Sequence, residues 1–127
     1  MRAPSPAETA HFEALCGPVT TEERAALRAA VQAHLLQLRQ AARGNELLPV
    51  DLAEALAGRL DRLLGQLDGL PAEARPLVVG AARYFVSEED VIPDTGDVLG
   101  LDDDVAVFNA VVRRIGRAEL VIVEGAE

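Results

Sequence analysis

Apolar side chains recur along this chain every three or four positions, with polar ones between them. Leu27, Val31, Leu35 and Leu38 keep a helical period, while Arg24, Arg28, Gln32 and Arg39 fall largely on other faces. Thr20 followed by Glu23 is a capping box, and Gly44-Asn45 a stop, so the spacing predicts a helix over about 21–43. A shorter helix over about 6–16 precedes it. Ser5 caps it with Pro6 at its first position and Glu8 three residues on, and Gly17-Pro18 ends it. Pro49 and Asp51 open a third helix with the stripe Leu52, Leu56, Leu60, Leu63, Leu64 and Leu67, closed at Gly69. The second and third helices read as an antiparallel hairpin.

A fourth helix is expected from near Pro71 to about Ser87, with Pro76 tolerable only in or near its first turn. From 77 to 86 it is apolar on nearly every side apart from Arg83, the mark of a central helix. A fifth helix over about 102–116 places Val105, Phe108, Val112 and Ile115 on one face. Asp102, Asp103 and Asp104 sit at its positive end, and Arg113, Arg114 and Arg117 at its negative end. The run 120–123, Leu-Val-Ile-Val, reads as an extra turn or a lone strand. The expected fold is all-α: one domain over 1–127, a compact bundle of four to five helices. A structured acidic loop stands before the last helix, and 1–5 and 118–127 are candidate flexible tails.

Composition narrows the chemistry. The chain has 127 residues, half of them apolar but only 3% aromatic, so its core must be built from Ala, Leu and Val. That length suffices for one core without disulfide staples. The lone Cys16 excludes an internal disulfide and multi-cysteine zinc sites, and a single thiol suits a reducing compartment, so cytoplasm is the expectation. No signal-peptide core or membrane-spanning stretch is evident, and membrane association is not expected. A net charge of −9 gives no reason to bind nucleic-acid phosphates.

That charge is unevenly placed. Residues 87–104 hold eight acids and no base, whereas the rest of the chain balances 13 acids against 12 Arg. The acids can serve local structure, with Asp90 and Asp94 bonding turn amides and Asp102 capping the last helix. Alternatively, Asp90, Asp94, Asp103 and Asp104 are candidate ligands for a divalent cation such as Ca²⁺ or Mg²⁺, although no window has EF-hand spacing. A docking surface for a basic partner is the third possibility. Asp94-Thr95-Gly96 matches the tripeptide of aspartic proteases but lies between helices rather than in an all-β subunit, and is read as a chance match. His34 is expected to be a satisfied histidine, and Cys16 a small apolar residue rather than a nucleophile paired with His11. No phosphate loop or nucleophile elbow is present, and no cofactor is implied.

Residues 84–94, with Asp-Val-Ile-Pro-Asp at 90–94, followed by Gly100 and Asp103-Asp104, resemble the YkvA-like family of small bacterial domains of unknown function. Tyr84, Phe85, Asp90, Ile92, Pro93, Asp94, Gly100, Asp103 and Asp104 carry the resemblance, which covers about 77–112. It implies a small helical domain, with some members membrane-associated, and no established activity. Here Glu88 and Glu89 precede Asp90, and Thr95, Gly96 and Asp97 follow Asp94, where the family is apolar, which argues against membrane contact. Arg83, beside the aromatic pair, is expected to anchor the acidic loop through Asp90, Asp94 or Asp103/Asp104. The functional expectation is a non-enzymatic interaction or oligomerisation module, with a protein partner or a second copy bound. An acidic inhibitor of immunity type against a basic partner and a cation-binding protein are the alternatives.

Overall fold

The computed structural model describes residues 3–44, 50–87 and 101–122. Its elements are α1 (Pro6–Leu15), α2 (Thr21–Ala42), α3 (Val50–Gly65), a 3₁₀ turn (Leu67–Gly69), α4 (Arg75–Val86), α5 (Asp102–Arg114) and a last 3₁₀ turn (Ala118–Leu120). Five helices pack on one another, and no strand occurs among the described residues, as the all-α expectation requires. Among these residues no helix is long and apolar enough to cross a membrane.

Both capping boxes form. Ser5 Oγ accepts from Glu8 N while Glu8 Oε1 accepts from Ser5 N, and Thr20 and Glu23 repeat the exchange at α2. Two boundaries shift. The third helix stops at Gly65 and tightens into a 3₁₀ turn instead of running to Gly69, a common ending for an α-helix. The fourth begins at Arg75 rather than near Pro71. Proline lacks an N–H and crowds the carbonyl four residues back, so Pro76 must lie within the first turn, which rules out the earlier start. At α5, Leu101 rather than Asp102 occupies the N-cap position.

α2 and α3 form the expected hairpin. Arg28 grips Asp61 with two parallel bonds, Nε to Oδ1 at 2.9 Å and Nη2 to Oδ2 at 3.2 Å, and Arg39 Nε meets Glu54 Oε2 at 3.0 Å. The pairing of 28 with 61 and 39 with 54 fixes the antiparallel direction. The Arg28 hydrogen bond also holds the Asp61 carboxyl below its ordinary range.

α4 packs against each of the other four helices. Val78, Val79, Ala82 and Phe85 are buried among Leu56, Leu60, Leu64, Phe108 and Val112. α1 lies close across Gly80. A β-carbon there would stand 2.5 Å from Cys16 Sγ and 2.9 Å from a Phe12 ring carbon, so only glycine permits this approach.

α5 ends in a Schellman motif. Gly116 has a φ of 82°, Arg117 N donates to Val112 O at 2.7 Å, and Gly116 N donates to Arg113 O. The chain then turns back, and Asn109 on α5 captures it: Nδ2 donates to Ile122 O, and Oδ1 accepts from Ile122 N, both at 2.8 Å. Asn109 and Ile122 are both buried. A 3₁₀ turn covers Ala118–Leu120 and 118–122 is a docked segment, while Val123, the end of the run read as an extra turn or a lone strand, lies outside the described residues.

Gly80→Ala would gain helix propensity but force Phe12 or Cys16 to move. It should cost about 1–3 kcal/mol, because overpacking outweighs a propensity gain of less than about 1 kcal/mol. Gly58 is exposed on α3, and nothing lies within 4 Å of where a β-carbon would stand, so Gly58→Ala should stabilise by about 0.5–1 kcal/mol. Urea unfolding of both variants checks the opposite signs.

Candidate functional site

The acidic segment begins at Ser87, the C-cap of α4, and runs into α5, whose N-cap is Leu101. Asp90, Ile92, Pro93, Asp94 and Gly100, with Asp94-Thr95-Gly96, lie outside the described residues. Its two roots converge with α1 on one residue, Tyr84.

Tyr84 is 4% exposed, and its hydroxyl donates to Asp103 Oδ2 at 2.9 Å. The His11 ring stands edge-on to the Tyr84 ring with centroids 5.1 Å apart, and His11 Nε2 lies 3.4 Å from Ser87 Oγ. Glu8, fully buried, completes the surroundings from the first turn of α1. The close crossing at Gly80, near the middle of α4, brings that face of α1 to Tyr84.

The electrostatics here oppose ionisation. Burial pushes the Tyr84 phenol far up, helped by the hydrogen bond to Asp103 and by the charges of Asp103, Glu8 and Asp104. Burial also raises the Asp103 carboxyl. Its bonds to Tyr84 and to the backbone N–H groups of Asp103 and Asp104 pull the other way, and the Glu8 charge adds to the rise. Asp103 is thus half-buried and bonded to a neutral hydroxyl.

Phe85 faces a different side, about one hundred degrees around the helix from its neighbour, as consecutive helical residues must be. The His34 ring meets it edge-on at 4.8 Å and 88°. Each of the two histidines therefore packs on one member of the aromatic pair.

Arg83 meets a backbone carbonyl among the described residues, and two of its expected partners, Asp90 and Asp94, lie outside them. Its Nη1 donates to Leu15 O at 2.9 Å, at the last turn of α1. The terminal carbonyls of a helix lack intrahelical donors and carry the negative end of its dipole, which suits a cation. Asp103, one of the carboxylates expected to hold Arg83, is held by Tyr84, so the described root of the acidic segment is Tyr84. Cys16 donates its thiol to Phe12 O at 3.4 Å. Burial and, secondarily, the Glu13 charge push its pKa up, against weaker pulls from Arg114 and Arg83, which makes it a poor nucleophile.

Among the described residues, no group of three or more His, Cys, Asp or Glu could hold a metal ion. Asp103 and Asp104 supply part of the expected ligand set, and Asp90 and Asp94 lie outside the described chain. Sequence reasoning misses Glu8, His11 and Asn109 as site or anchoring residues. Only Asn109 leaves a signal, as an amide beside the apolar stripe of α5.

The raised Asp103 pKa has a definite sign in the stability of the protein. A carboxyl that ionises less readily when folded favours the fold below its unfolded pKa, and that contribution is lost as pH rises through the folded value. Asp103→Asn keeps an acceptor for Tyr84 and removes the charge. Its urea midpoint should exceed that of the parent at pH 7, and the gap should close towards pH 3, measured by circular dichroism.

The chain matches no family model, no curated protein and no solved structure, and nothing in these comparisons bears on the resemblance to the YkvA-like family.

Proposed function

We propose that the protein is a non-enzymatic interaction module that docks a basic protein partner through the acidic end built on Tyr84. The observation that carries the reading is the segregation of charge. Elsewhere on the described surface four acids meet arginines: Arg24 with Asp68, Arg28 with Asp61, Arg39 with Glu54 and Arg117 with Glu119. At the acidic end Asp103 meets a phenol instead, next to a buried Glu8, and burial disfavours its charge. The repulsion that the Glu8 charge exerts on Asp103, in a segment with eight acids and no base, supports a docking site for a cationic partner.

An arginine- or lysine-rich partner would relieve this repulsion on binding. An inhibitor of immunity type, covering a basic active surface, is one form of the same reading. Self-association through leucine faces has less to recommend it. Among the described residues Leu36, at 53% exposure, is the one large apolar side chain left exposed, and isolated apolar residues are normal on a monomer. A divalent cation is the second reading, and because no described group of three or more ligands could hold one, it rests on Asp90 and Asp94 joining Asp103 and Asp104. The free thiol of Cys16 supports a cytoplasmic location for either.

The test compares the full chain with a variant carrying Asp90→Asn, Asp94→Asn, Asp103→Asn and Asp104→Asn. A basic protein captured from source-cell extract should elute as salt rises from about 0.1 to 0.5 M, where exposed charge pairs are screened, and should be absent from the variant. Equal capture by both chains, or a dimer in sedimentation that the substitutions leave intact, would sink the proposal. A thermal shift with Ca²⁺, Mg²⁺ or Mn²⁺ that the variant loses would favour the cation instead.

A further inference from the structure

We infer that a second site, away from the acidic end, binds a small carboxylate with a compact aliphatic body. The site is a cleft of about 400 Å³ between the α1–α2 connection, the first turn of α2, the 3₁₀ turn after α3 and the entry to α4. That volume is within the roughly 300–1,000 Å³ typical of small-molecule sites. Leu67 and Val79, both buried, line it with Val19. Arg24 and Arg75 supply guanidinium groups to the same lining.

One residue orients both arginines. The Asp68 carboxylate takes Arg24 Nη2 at 3.2 Å, and the Asp68 carbonyl takes Arg75 Nη2 at 3.2 Å, while Arg75 Nε donates to Leu70 O at 3.1 Å. The Arg24 side chain is 19% exposed, so most of its length is withdrawn from water. Carbonyl acceptors take no charge from Arg75. With two guanidiniums against one carboxylate, the lining carries a net positive charge in a chain whose total is −9.

The chemistry of the lining selects the ligand. A planar carboxylate matches the guanidinium fork, and its single charge balances that of the cleft. A phosphate dianion would overcompensate it and would have to shed water against Val19 and Leu67. The aliphatic part belongs on those two side chains. A free short-chain acid and the C-terminal carboxylate of a peptide ending in an aliphatic residue both have this chemistry.

Titration of the ¹⁵N-labelled full chain, followed by amide shifts, tests the inference. The probes are isovalerate, isovaleramide, inorganic phosphate, and a Leu-terminated peptide with a free or amidated end. Isovalerate should move the amides of Val19, Thr21, Arg24, Leu67 and Asp68, and isovaleramide should not. Arg75→Gln should weaken isovalerate at least about tenfold. Ala72→Phe should do the same by filling the cleft: Ala72 is exposed, so this variant decides the matter if Arg75→Gln fails to fold. Tighter binding of the free-end peptide than of isovalerate identifies a chain terminus as the source, and the reverse identifies a free acid. The inference is overturned if isovalerate at about 20 mM, well above the millimolar range of weak specific binding, shifts none of these amides. It is equally overturned if the amide binds as well as the acid, or if phosphate reproduces the shifts at the same concentration.

Discussion

The missing β-carbon at Gly80 lets α1 lie against α4 at a distance no other residue would allow, and the acidic end of the molecule depends on that approach. Phe12 and Cys16 fill the contact. On one side of it, α1 carries Glu8 and His11 up to Tyr84. On the other, the end of α1 comes within reach of Arg83, which caps the Leu15 carbonyl. Had the crossing been wider, Tyr84 would face water, its hydroxyl would not need Asp103, and the first turn of α5 would lose its attachment to the central helix.

Two electrostatic regimes coexist on this frame. Along the hairpin of α2 and α3, exposed arginines and acids pair across the helices. They fix alignment more than they add stability, since exposed ion pairs contribute little. Around Tyr84 the same charges are withdrawn from water and placed near one another. That arrangement works against folding, and it persists because the aliphatic core around α4 supplies stability independent of charge. Val31, Leu56, Leu60, Leu64, Val78, Val79 and Phe108 are shielded from solvent throughout, so the acidic end can be costly without endangering the fold.

Local chemistry is legible in the sequence, and long-range chemistry is not. Ser5 with Glu8 and Thr20 with Glu23 announce their helices because a capping box involves only neighbours in the chain. The leucine stripes of α2 and α3 announce a hairpin for the same reason. The start of α4 is ambiguous because Pro71 and Pro76 both look like helix openers, and only the rule that proline belongs in the first turn separates them. The contact of Arg83 with a backbone carbonyl 68 residues away is hidden because nothing in the sequence marks that carbonyl. Glu8 gives its capping role away and conceals its burial, which arises from tertiary packing. The cleft held by Asp68 leaves no pattern at all: Arg24, Asp68 and Arg75 come together only through the bend between α3 and α4.

Tyr84 has a consequence in spectroscopy. The chain contains a single tyrosine and no tryptophan, so its near-ultraviolet absorption and its emission come almost wholly from one ring. That ring is buried, hydrogen-bonded to a carboxylate and edged by an imidazole. Carboxylate contact quenches phenol emission, and any event that draws Asp103 away would brighten it. The protein therefore carries an unlabelled optical reporter at the place where its charge is concentrated.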